Sequence, residues 1–241
     1  MILLFFMICI ATMTGHPAHA EETCQECHQQ TQPELIHAWQ QSRHAQANVG
    51  CTACHGSIHD HTMAAYARTN QTCLACHAEA GKSYLLSKHG VIATLEADRM
   101  NLTLPLKEGN IRAPTCAYCH LHQNNHAGNT HQERATPCRD CHSSRFVDTW
   151  FTTGSNNLEI AAKKQRESEK IFNEWPNNRH DTAKNPLEQL KSSLENHLLN
   201  VRLGVGHQSP DDLWWHGQPA LDGDLLRLKS MRSQMQHRPL P

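Results

Sequence analysis

Five short stretches decide how this chain is read: Cys24-Gln25-Glu26-Cys27-His28, Cys51-Thr52-Ala53-Cys54-His55, Cys73-Leu74-Ala75-Cys76-His77, Cys116-Ala117-Tyr118-Cys119-His120 and Cys138-Arg139-Asp140-Cys141-His142. Each has the form C-x-x-C-H. The 241 residues include 11 Cys, and the only one outside these stretches is Cys9. C-x-x-C-H is the attachment signature of c-type haem. The two thiols add to the vinyl groups as thioethers. The adjacent His, on so short a tether, reaches the iron as proximal ligand. The reading therefore assigns the ten cysteines Cys24, Cys27, Cys51, Cys54, Cys73, Cys76, Cys116, Cys119, Cys138 and Cys141 to five c-type haems, and His28, His55, His77, His120 and His142 to their irons. A disulfide scaffold or zinc sites would also use many cysteines. Neither gives a reason for a His after every second Cys.

Composition agrees. Hydrophobic residues make up 38%, against about 45–50% apolar in an ordinary domain. A thin apolar supply beside a surplus of Cys and His means that something other than side chains fills the core. Lys+Arg is 22 and Asp+Glu is 23, so no basic excess points to nucleic acid. The apolar run from Ile2 to Met13 has the length of a secretory h-region and is too short to span a bilayer. Ala18-His19-Ala20 offers a cleavage site before Glu21, although no Lys or Arg precedes the run. Cys9 lies in that run and leaves with it. Residues 1–20 are thus read as a signal peptide. The mature protein is expected to be periplasmic and not membrane-spanning.

Five irons with a proximal His need five second axial ligands, or four if one site is open. His44, in Ser42-Arg43-His44, and His89, in Ser87-Lys88-His89, stand near motifs, and His126 and His131 lie between the fourth and fifth. His59 and His61 follow the second motif, and one of the two is expected to bind. His197 shares an apolar stripe with Leu190, Leu194, Leu198 and Val201. That helix is read from an Asn185-Pro186 start to a stop at Gly204. The preferred set is His44, His61, His89, His131 and His197. His59, His126, His207 and His216 remain alternatives, and Met63, Met100, Met231 or Met235 could replace a His at one iron.

The predicted fold is mostly α. Residues 21–150 form a multihaem cytochrome c core of short helices and loops around stacked haems. Residues 151–241 form a C-terminal helical segment packing on it, with helices over Ser155–Trp175, Leu187–Leu203 and Leu221–Met235 separated by a polar linker at Asn173–Pro186. Asp211-Asp212 is read as the cap of a helix carrying Trp214 and Trp215.

Several stretches resemble the hydroxylamine oxidoreductase family of multihaem cytochromes, which is related to pentahaem nitrite reductase. They are Trp39–His44 with Gly50–Gly56, Ser87–Gly90, Ala113–Cys116 through Asn129–His131, Cys138–Ser143 with Phe146–Asp148, and Ser209–Asp211 with Trp215–Gly217. The resemblance runs over residues 24–217 in family order. It implies a haem-packed helical fold and trimers, hence a homo-oligomer. Full members carry eight haems, whereas this chain has motifs for five. Oxidising members place a haem-crosslinking tyrosine after the Pro-Asp pair, where this chain has Asp212. They also place an Asp-His pair in the catalytic pocket. None follows His77 here, and Asp60-His61 follows a different motif.

Electron transfer with redox partner proteins, other cytochromes or quinol-linked donors, requires only what the motifs supply. Two alternatives stand beside it. One is reduction of nitrite or hydroxylamine at an open-coordinate haem. The other is a redox subunit of a larger complex.

Overall fold

In the computed structural model the described residues are 18–60, 62–110, 112–128, 133–175 and 184–237. Fourteen α-helices follow one another, and no strand occurs among the described residues. The first part is built of short pieces: α1 (Ala18–Thr31), α2 (Pro33–Gln40), α3 (Arg43–Gln46), α4 (Cys51–His55), α5 (Met63–Ala67), α6 (Asn70–Leu74) and α7 (Ala78–Leu85). It continues through α8 (Lys88–Leu95), α9 (Leu106–Gly109), α10 (Cys116–His120) and α11 (Thr136–Arg139). Three long helices end the chain: α12 (Ser144–Asn173), α13 (Lys184–His207) and α14 (Gln218–Gln236), with a π-helical turn at Asp211–Trp215.

The expectation of a mostly helical fold with short elements in the motif region is met. The apolar supply is spent unevenly. Leu190, Leu194, Leu198 and Val201 of α13 pack with Ala161 and Ile171 of α12 and with Leu221, Leu225 and Leu228 of α14 in one buried cluster, sealed by Leu213 from the π turn. Each Leu buried this way is worth roughly 1.5–3 kcal/mol. Over the motif region the buried cluster among the described residues is only Tyr84, Ala93 and Ala113, with Met100 against it.

Two of the helix limits that differ from the sequence reading have a local cause. The helix expected from Ser155 begins at Ser144, directly after the fifth motif, because the Ser143 hydroxyl accepts from the Phe146 N–H at 3.4 Å and caps it. The stop expected at Gly204 is not a stop. α13 runs on to His207, where Gln208 takes the left-handed conformation (φ 58°) and the Ser209 N–H donates to the Gly204 carbonyl at 3.1 Å. That is a Schellman closure with Gln208 at C′. Gly204 is glycine for another reason. A Cβ there would lie 2.9 Å from the Leu213 nitrogen and 3.1 Å from the Asp212 Cβ, so the bare backbone lets the π turn lie against α13.

Candidate metal centres

Each C-x-x-C-H stretch forms one turn of helix. Motifs two and four are themselves helices, α4 and α10, and motif one lies within α1. In motifs three and five the turn closes beyond the helix end, with the His77 N–H donating to the Cys73 carbonyl and the His142 N–H to the Cys138 carbonyl, both at 2.9 Å. On a helix, residues i, i+3 and i+4 share a face. Both thiols and the imidazole of a motif therefore present to one side, where a single planar group can meet all three. None of these ten cysteines is in a disulfide.

Opposite every motif histidine stands a second imidazole. His28 faces His59 with ring centres 6.1 Å apart, His55 faces His126 at 6.1 Å, and His77 faces His44 at 6.0 Å. His120 faces His207 at 6.5 Å and His142 faces His89 at 5.9 Å. Two imidazoles sharing one metal at about 2.0–2.1 Å per bond, each ring centre about 1.1 Å behind its nitrogen, sit about 6.2–6.4 Å apart. The five separations bracket that span. Among the described residues no group of three or more His, Cys, Asp or Glu could hold a bare metal ion. A tetrahedral zinc site needs four protein ligands, or three and a water. A haem brings four nitrogens of its own and asks the protein for two. Pairs, not clusters, fit haem.

Local structure aims the facing rings. Ser42 and Ser87, both buried, cap α3 and α8 by accepting from the Ala45 N–H at 3.0 Å and the Gly90 N–H at 3.1 Å. His44 and His89 thus sit at the same second position of a capped helix. At Gly90 a side chain would collide with the Tyr84 carbonyl, so α8 lies directly on the end of α7. His126 sits in an Asx turn, with the Asn125 side-chain oxygen accepting from the Ala127 N–H at 3.1 Å. His59 follows the left-handed Gly56 (φ 72°) that ends α4. Burial pulls His55, His89, His120 and His207 below the usual histidine range. That keeps these rings neutral, the form that binds metal.

Consecutive motifs are neighbours in space. His55 lies near His28, Cys54 near Cys73 and Cys76, and Cys119 near Cys138 and Cys141. The Cys73 and Cys116 thiols are in hydrogen-bond contact. Motifs four and five are further tied through Asp140, whose carboxylate accepts from the Tyr118 hydroxyl at 2.6 Å and bonds His122 Nε2 at 3.0 Å. These bonds pull the Asp140 carboxyl down to about 2.

Of the second ligands expected from sequence, the structure brings His44 and His89 to motif histidines. His61 and His131 lie outside the described residues, and their alternatives His59 and His126 occupy facing positions. His197 does not face a motif histidine. Its Nδ1 is bonded to the buried Asp224 at 2.8 Å, and Asp224 also accepts from Ser193 at 2.6 Å. The stripe placed His197 on the helical core, and that core is made of leucines. The ring facing the fourth motif is His207, ten residues on at the helix end. His216 is exposed beside Asp211, while Met100 and Met231 pack in the two side-chain clusters. Asp211-Asp212 does not cap the π turn. The cap hydroxyl is Ser209, which accepts from the Asp212 N–H at 3.4 Å.

A family pattern described as "Seven times multi-haem cytochrome CxxCH" matches residues 15–133, a span that holds the first four motifs. Among solved structures the chain is similar to a protein of a Kuenenia stuttgartiensis reducing HAO-like protein complex, at 15% identity and a TM-score of 0.51, over 90% of this chain and 85% of that one. The likeness is one of fold. Thiols and imidazole sharing a face at every motif, and a family pattern falling on the first four of them, support the reading of a multihaem c-type cytochrome.

Proposed function

We propose that the protein is an exported electron carrier holding five c-type haems, each with two histidine ligands. The pairs are His28 with His59, His55 with His126, His77 with His44, His120 with His207, and His142 with His89. The single observation that carries this reading is the five facing ring pairs, 5.9–6.5 Å apart, which leave no motif histidine without a partner. Haem iron supplies one-electron exchange. The chain supplies covalent anchorage through ten thiols and two imidazoles per iron. The motif order, each a neighbour of the next, makes the arrangement a file with the first and fifth sites at its ends. With both axial positions taken, no site is reserved for a substrate, which weighs against nitrite or hydroxylamine reduction.

The mature chain is read as starting near Glu21 and working in the periplasm, with redox proteins, other cytochromes or quinol-linked donors, as partners. Among the described residues no helix is long and apolar enough to cross a membrane. A second reading, a redox subunit of a larger assembly, is favoured by the neighbour of like fold, which is described as part of a two-protein complex.

Intact mass and electron paramagnetic resonance of the purified ferric protein test the proposal. The expected result is a mass increment of five haems with low-spin ferric signals only. A high-spin signal of one iron per chain would return the open-site reading, and fewer than five haems would break the pairing.

A further inference from the structure

An imidazole that binds iron through one nitrogen keeps an N–H on the other. Metal-binding histidines almost always hand that proton to a carboxylate, a carbonyl or a water, and the partner sets ring orientation and basicity. His207 shows which group does this at the fourth site. Its Nδ1 is buried with no hydrogen-bond partner, and so is Oδ2 of Asp212. One atom is a donor without an acceptor and the other an acceptor without a donor. Buried polar atoms in native proteins are rarely left so.

The backbone brings the two residues near one another. Gln208 reverses the chain after His207, and the Ser209 hydroxyl receives the Asp212 N–H. The missing side chain of Gly204 admits Asp212 against α13, three residues before His207. Asp212 is 6% exposed, and its charge is among those that act on the His207 ring. Lys82, Glu79, Asp211 and His216 line the adjoining cleft, and none of them bonds Oδ2.

The two atoms are not bonded to each other in this structure; we propose that Asp212 is the positioning residue of the fourth haem site and that in the haem-loaded protein its carboxylate accepts the Nδ1–H of His207. The inference rests on the assignment of His207 as ligand. A carboxylate on this proton makes the ring a stronger donor. A stronger donor favours ferric over ferrous iron, so the fourth site is held at a lower potential than its His/His ligation alone would set.

The test is a spectroelectrochemical titration of the holoprotein and its Asp212→Asn, Asp212→Ala and His207→Ala variants, with paramagnetic resonance of each. Asp212→Asn keeps the shape of the side chain and removes the charge. It is expected to raise one of the potentials while every iron stays low-spin. A tenfold loss of ferric preference reads as a rise of about 59 mV for a one-electron couple. Asp212→Ala should raise the same potential at least as far. His207→Ala should turn one iron high-spin. Unchanged potentials in both Asp212 variants, with one high-spin iron in His207→Ala, overturn the role of Asp212 and leave the ligand in place. All irons low-spin in His207→Ala overturns the ligand assignment itself.

Discussion

Asp224, on α14, is 4% exposed; the Ser193 hydroxyl and His197 Nδ1 bond its carboxylate at 2.6 and 2.8 Å, and Arg227 stands at 3.8 Å. Ser193 and His197 are one helical turn apart on α13, so this carboxylate pins two helices together at the edge of the leucine cluster. Replacing His197 by Ala removes one of two good hydrogen bonds to a buried charge. The loss should cost about 1–3 kcal/mol, read as a lower urea midpoint of the holoprotein with the visible spectrum unchanged. A new high-spin band in that variant would make His197 a ligand after all. Spacing alone could not separate these roles, because a ligand and a structural histidine occupy the same apolar face. What distinguishes them is the group each ring meets, and Asp224 stands 27 residues away in sequence. His44 and His89 were legible from their places beside the motifs, and the serine two residues before each, a helix cap, fixes where the next turn points.

At the scale of elements, the histidines proposed as distal ligands on α3 and α8 depend on very short helices. A helix of two turns or fewer does not hold itself in water, so its cap and its packing decide whether it exists. In α8 both contributions pass through adjacent residues: Ser87 caps it, and Gly90 lets it lie on the end of α7. Ser87→Ala removes the cap and should cost about 0.5–2 kcal/mol. Because His89 sits one residue into that helix, the fifth site should also acquire a temperature-dependent high-spin fraction, visible on warming the ferric protein and absent in the parent. A melting point lowered without any spin change would show that the cap stabilises α8 but does not aim His89. α12 starts earlier than its charged stretch suggests, at the Ser143 cap. The apolar stripes of α13 and α14 follow from local patterns. The end of α13 does not. Glycine after an apolar run is an ordinary stop, and only the approach of Asp212 and Leu213, settled in tertiary structure, makes Gly204 an interior residue and moves the end to His207.

Across the whole molecule, the side-chain core sits in the last three helices and the motif region has almost none of its own. This division was foreshadowed by the low hydrophobic content and the concentration of Cys and His between residues 24 and 142. If haem is the missing core, a chain produced without haem attachment should keep slow amide exchange at Leu194, Leu198 and Leu225 while α4, α6, α10 and α11 exchange at rates near those of unfolded peptides. Equal protection in both regions would mean that the short helices stand by themselves. The same architecture bears on ligand binding. Carbon monoxide binds ferrous haem only where an axial position is free or a histidine lets go. Five imidazole pairs, three of them with a ring whose pKa burial lowers, give it no entry. Mixing the dithionite-reduced protein with carbon monoxide should leave the Soret band unchanged over seconds. His126→Ala should then bind one equivalent per chain, by opening the second site alone. Uptake of one equivalent by the unaltered protein would identify an open iron and favour small-molecule reduction over electron carriage.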